Sequence, residues 1–353
     1  MPVLLRNGHR TVLGLRFRAV REPVLVPEMP HRIRVDEMAK YRSVSPGPAR
    51  AASLVLGLVA LVSLAVACPA AAQDLEPRAF SAAPTGLNFV ALGYAYSWGN
   101  VLFDPAIPIT DGDANVHSLV GAYVRTIDFF GMSGKVDAVV PYAAHGKWTG
   151  LVDGVPDSTT RSGFGDPSFR LSVNFIGAPA LDLPDFVKHK QGMIVGASLQ
   201  VRAPLGEYDP AKLINLGSNR WTFKPRVGIS QPFGRWIAEG AVTAWFFTDN
   251  PDALGFRLSQ DPLWAIDGHV ARLFGKGIWA SVDLGYIIGG RTAKDGEPSS
   301  ETQKSARVGA TLAIPLAKRH SIKLGYFAGL YTRLGSDFDN LGIVYQYRWG
   351  GGI

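Results

Sequence analysis

The sequence predicts an all-β fold: a twelve-stranded antiparallel transmembrane β-barrel of the outer-membrane type, after a cleaved signal peptide. Three observations carry this expectation. An uncharged apolar run, Ala51–Ala67, ends in a small-residue site. Behind it, segments with period-2 alternation recur to the end of the chain. The connections between those segments alternate long and short, which a soluble sandwich has no reason to do.

The leader comes first. Arg50 precedes the apolar run, and Cys68-Pro69-Ala70-Ala71-Ala72-Gln73 follows it. A basic residue, a short apolar core and A-x-A describe a secretory signal, with cleavage expected after Ala72. At about 17 residues the run sits at the lower limit for a spanning helix. A lipoprotein signal at Cys68 is the weaker alternative, since Ala65 stands where Leu is usual and Pro69 follows the cysteine. Met38 opens a leader of ordinary length, so the expected organisation is an over-long start or disordered extension over 1–37, a signal peptide over 38–72 and a barrel domain over 73–353.

The formal net charge of +7 belongs to the leader. Residues 1–72 hold ten Lys/Arg and four Asp/Glu, leaving 26 basic and 25 acidic residues for the rest. No case for nucleic-acid binding rests on that balance. The single cysteine, Cys68, leaves with the leader, so no disulfide is expected.

After a short polar lead (73–84), the expected strands are Gly86–Trp98, Asn115–Asp128, Lys135–Ala144 and Gly163–Gly177. Then come Met193–Ala203, Trp221–Gln231, Trp236–Thr248, Pro262–Leu273, Ile278–Gly289, Ser305–Ile314, Ser321–Arg333 and Asn340–Trp349. The fourth states the grammar most clearly. Phe169, Leu171, Val173 and Phe175 alternate with Ser168, Arg170, Ser172 and Asn174, which puts the two sets on opposite faces. The connection 178–191 breaks the loop alternation and holds one amphipathic helical turn or two. The last strand stacks Leu341, Ile343, Tyr345, Tyr347 and Trp349 on one face, as an interfacial aromatic girdle does.

The words LEPRAF, GLNFV, NVLFDPAIPI, KVDAVVPYA, GFGDPSFRLSVNF, GAPAL, IVGASLQVRAPLGEYDP, NRWTFKPRVGIS, FFTDN, GIWASVDLGY, RVGATLAIPLAKRHSIKLGY and SDFDNLGIVYQYRWGG occur in this order. Over nearly all of Asp74–Gly351 the chain resembles the bacterial family labelled meta-pathway of phenol degradation, whose members are often called transporters. The resemblance implies an outer-membrane β-barrel linked to aromatic-compound catabolism. It brings no catalytic residues.

With apolar residues toward lipid, the expected lumen set is His117, Arg125, Lys135, Asp137, Arg170, Arg202, Lys224, Arg226, Glu239, Asp267, His269, Asp283, Arg307, Lys323 and Arg348. Charges are costly in lipid, which drives this alternation. One outcome is an electropositive pore lining; the other is a network of Arg–carboxylate pairs that fills a narrow barrel. An embedded lipid hydrolase is a third reading. Asp267 and His269 could pair on one face, but no G-x-S-x-G accompanies them. Seven scattered His and no mature Cys give no metal spacing. Asp104, Asp111 and Asp113 could bind Ca²⁺, though solvated loops explain them equally.

The expected function is a porin-like channel or transporter in the outer membrane of a Gram-negative bacterium, surrounded by lipid. It would take up small hydrophobic or aromatic solutes passively, with no cofactor, metal or catalytic residue. A non-conducting structural or surface-binding barrel is the main alternative.

Overall fold

The structure is a computed structural model that describes residues 75–102 and 109–353. The extension, the leader and Asp104 lie outside the described residues. Twelve long strands close a barrel. They are β1 (Leu87–Leu102), β2 (Ile109–Phe129), β3 (Met132–Val152), and, after a short β4 (Val155–Phe164), β5 (Ser168–Pro179) and β6 (Ile194–Arg202). β7 (Thr222–Phe233) and β8 (Trp236–Phe247) follow. After β9 (Asn250–Ala253) and β10 (Phe256–Gln260) come β11 (Leu263–Gly275) and β12 (Ile278–Gly289). After β13 (Thr292–Lys294) and β14 (Glu297–Pro298), β15 (Gln303–Ala317), β16 (His320–Thr332) and β17 (Gly335–Gly350) complete the wall.

Each wall strand pairs antiparallel with its neighbours, and β1 joins β17 along its whole length, from Leu87 opposite Gly350 to Leu102 opposite Gly335. Closure leaves no open sheet edge in the wall. All twelve expected strands are present, but β2 and β3 run to 21 residues each. Their upper halves pair with each other, and that of β3 also pairs with β4. The expected loops 249–260 and 291–303 are not plain coil either: β9, β10, β13 and β14 form a small antiparallel sheet there. The turns at Asp153, Leu254 and Asp295 have positive φ, each followed by a glycine, as hairpin turns require. The segment 334–339, expected as a loop, is mostly strand, since β17 begins at Gly335.

The connection between β5 and β6 carries a single short helix, α1 (Leu183–Lys188). The Asp182 carboxylate accepts from the Asp185 backbone N–H, and Pro184 occupies the first turn. None of its residues is buried.

The two faces of the wall differ as β5 illustrates. Ser168, Ser172 and Asn174 are buried, whereas Phe169, Leu171 and Phe175 are exposed. The same inversion runs around the barrel: Leu92, Ile266 and Val282 are 60% exposed or more, while His269 and Asp283 are nearly inaccessible. A water-soluble protein does not leave so continuous an apolar exterior. Aromatic side chains gather near the short-turn end, where Tyr123, Tyr347 and Trp349 lie against one another.

Candidate functional site

The interior is the candidate site, and its wall residues follow from strand parity. Lys135, Asp137, Arg170, Arg202, Lys224, Arg226, Glu239, Asp267, His269, Asp283, Arg307, Lys323 and Arg348 lie on lumen-facing positions. Two expected members do not. His117 pairs with Tyr96, and Arg125 pairs with Asn88 and Val136, all on the outward face. β2 turns Val116, Ser118, Val120, Ala122, Val124 and Thr126 inward instead. The outward face of β2 keeps Leu119 and Tyr123 exposed at its centre and places polar residues only toward its ends. There a side chain reaches water or headgroups without crossing the apolar belt. The His117 ring stacks on Tyr96 and its Nδ1 lies 2.7 Å from the Tyr94 hydroxyl.

Two charge clusters line the lumen side of the wall. In the first, Arg226 Nη2 lies 2.6 Å from Asp267 Oδ2, which is also 2.9 Å from His269 Nε2. His269 Nδ1 lies 2.8 Å from Asp283 Oδ1, and the Thr311 hydroxyl donates to the other Asp283 oxygen. The ring is therefore gripped by a carboxylate at each nitrogen. Neither nitrogen is left to take a proton from a hydroxyl, so the arrangement is not a nucleophile–base pair. Among the described residues, no cluster of His, Cys, Asp or Glu could hold a metal ion.

In the second, Arg170 Nε lies 2.9 Å from Asp137 Oδ2, and Arg170 Nη1 pairs with Glu76. Glu76 is not a wall residue. It belongs to the segment 75–85, which enters the barrel at the short-turn end and lies in the lumen. Thr126, on β2, anchors the way in: its hydroxyl donates to Pro84 O and accepts from Leu87 N–H. Farther in, Asn174 donates to Phe80 O, Lys135 Nζ donates to Ala79 O, and Arg78 N–H donates to Glu239. The Arg78 guanidinium also lies over the Trp279 ring. Leu75 reaches the far side, where a Cβ on Gly285 would come within 2.7 Å of it. A small cavity beside Leu75 is lined by Lys224, Arg226, Trp245, Asp267 and Ile287.

Phe80 has the most specific seat. Gly196 on β6 and Gly228 on β7 pair directly, and a Cβ on either would lie within 2.5 Å of the Phe80 ring. Two glycines side by side in strand interiors cut the slot that admits the ring. Burial alone would raise the pKa of Glu76; the neighbouring Arg170, Lys224 and Arg226 outweigh it and hold the carboxyl well below its ordinary value.

In the sequence, 73–84 looks like a polar lead, which hides this segment's place in the lumen. Leu75 and Phe80 within that lead, and inward glycines in otherwise regular strands, are the signals that mark it.

Comparison with known proteins agrees with this architecture. A solved structure, the COG4313 outer membrane channel from Pseudomonas putida F1, is similar over 78% of this chain and 100% of its own, at 17% identity and a TM-score of 0.67. The β domain of the Bordetella autotransporter BrkA aligns over 75% of this chain and 100% of its own, at 13% identity and a TM-score of 0.43. The KdgM porin aligns over 73% and 98%, at 9% identity and a TM-score of 0.36. No curated protein matches the sequence. The family profile described under the MetA-pathway of phenol degradation matches residues 81–345, and the chain belongs to that family.

Proposed function

We propose that the protein is an outer-membrane channel that passes small hydrophobic or aromatic solutes, and that it acts without catalysis. The observation that carries the reading is a closed barrel with an apolar exterior and a charged interior, the arrangement that a lipid bilayer requires of a spanning sheet. Basic residues outnumber acidic ones on the lumen wall, even with Arg125 moved outside, which favours anionic or electron-rich solutes. Cleavage after Ala72 would make the lumen segment the mature N terminus, tethered at one end only. Membership in the family supports the link to aromatic compounds.

A second reading, a non-conducting structural barrel, is favoured by the segment that lies in the lumen. Single-channel recording of refolded protein, with solute uptake into liposomes, separates the two. Conductance with anion preference and uptake of aromatic solutes are expected; a folded, silent barrel would leave the structural reading. N-terminal sequencing of protein from the outer-membrane fraction should begin at Gln73.

A further inference from the structure

We propose that the seat held by Phe80 and Glu76 is a solute site of the lumen, selective for small aromatic carboxylates, for which these two side chains stand in. The inference rests on the channel reading and gives it a site and a ligand chemistry.

The seat has two parts joined by one residue. The slot at Gly196 and Gly228 accepts a flat ring, one side of it against each glycine, and excludes even a methyl group from either strand. The Arg226 guanidinium lies 6.0 Å from the centroid of the ring it holds, within reach of a cation–π attraction. The acid part is the cation group of Arg170, Lys224 and Arg226, which act together on the Glu76 carboxylate. A ring and a carboxylate presented together match both parts, because Arg226 contributes to each.

The present occupant is not part of the wall. Residues 75–86 add no strand to the wall, and side chains of β3, β5 and β8 hold the backbone at Ala79, Phe80 and Arg78. When Glu76 withdraws, Arg170 retains Asp137 and Arg226 retains Asp267, so the wall stays charge-paired. A group on a short flexible tether acts at an effective concentration of roughly millimolar. A free solute therefore competes with it at concentrations of that order, and its carboxylate takes the place of Glu76 on Arg170 Nη1.

The test is calorimetric titration of benzoate into the refolded protein in detergent, compared with Phe80→Ala and Glu76→Gln. Removing an internal competitor strengthens binding, so each variant should bind benzoate about ten-fold more tightly than the parent. A purely structural role for these side chains would not produce that sign. Adding Gly228→Ala to Phe80→Ala should abolish the gain, and acetate and benzylamine should not bind. Unchanged or weaker affinity in both segment variants, equal binding of benzylamine, or no benzoate binding to any of the three proteins overturns the proposal. Phe80 and Glu76 precede the first strand, so these variants test it even if Gly228→Ala misfolds. Liposome uptake distinguishes the two levels. Binding without uptake removes the channel and leaves the site; uptake with unchanged affinities removes the site and leaves the channel.

Discussion

Arg170 on β5 and Arg226 on β7 both point into the lumen and both pair with carboxylates, but their acids come from different supports. Arg226 takes Asp267 from the wall, and Asp267 is backed by His269 on its own strand and, through it, by Asp283 and Thr311 on two further strands. Arg170 takes Asp137 from the wall and Glu76 from the lumen segment. The first cluster ties β7, β11, β12 and β15 together and has no part that can leave. The second keeps one wall partner and one that is carried on a tether. The same chemistry thus serves as a strut in one half of the barrel and as a latch in the other.

The largest expected effect breaks the strut. Asp267→Ala leaves Arg226 and His269 buried without their shared acid, and removal of one partner from such a group costs about 3–5 kcal/mol. Urea-dependent folding into lipid vesicles measures it; a loss below about 1 kcal/mol would mean that the cluster is not holding the wall.

The outward face of the strand that carries the latch gives the next effect. Leu171→Arg places a charge at the apolar exterior of β5 and should cost about 2–4 kcal/mol of folding into bilayers. Unimpaired insertion would contradict the assigned face.

The latch itself responds to acid. The seated Glu76 has a pKa depressed below its ordinary 4.5, so its contribution is complete well above that value. It is lost as pH falls below 4.5 toward the seated value. With both partners in reach of lumen water, the contribution is on the order of 1 kcal/mol. Conductance of the parent should rise toward that of Glu76→Gln in acid, with the two well separated at neutral pH. A constant gap across the range would show that Glu76 does not hold the segment.

The smallest effect contrasts the inside of the wall with its outside. His117→Leu lies on the outward face and should change stability by no more than about 0.5 kcal/mol and leave single-channel conductance as it was. A change in ion selectivity would return His117 to the lumen.

Local pattern and tertiary placement can be told apart residue by residue. Period-2 alternation suffices to find the twelve wall strands and to orient β5, because Phe169 through Asn174 separate cleanly into apolar and polar sets. The pairing of Asp267 with His269 is also open to inspection, since two residues apart on a strand means one face. The rule fails on β2, where Val116, Val120 and Val124 face inward while His117 and Arg125 face outward. Polarity there reports height along the barrel axis as much as side, and a sequence carries no height. The lumen segment was beyond any local rule. Phe80 in a lead of ordinary composition, and Gly196 and Gly228 in separate strands, acquire meaning only when closure of the sheet sets the two glycines side by side and brings the ring between them. Strand content and facing follow from the alternation of neighbouring residues, which the chain encodes locally; the contents of the lumen depend on contacts between residues as distant in the chain as Arg78 and Trp279, which only the closed barrel creates.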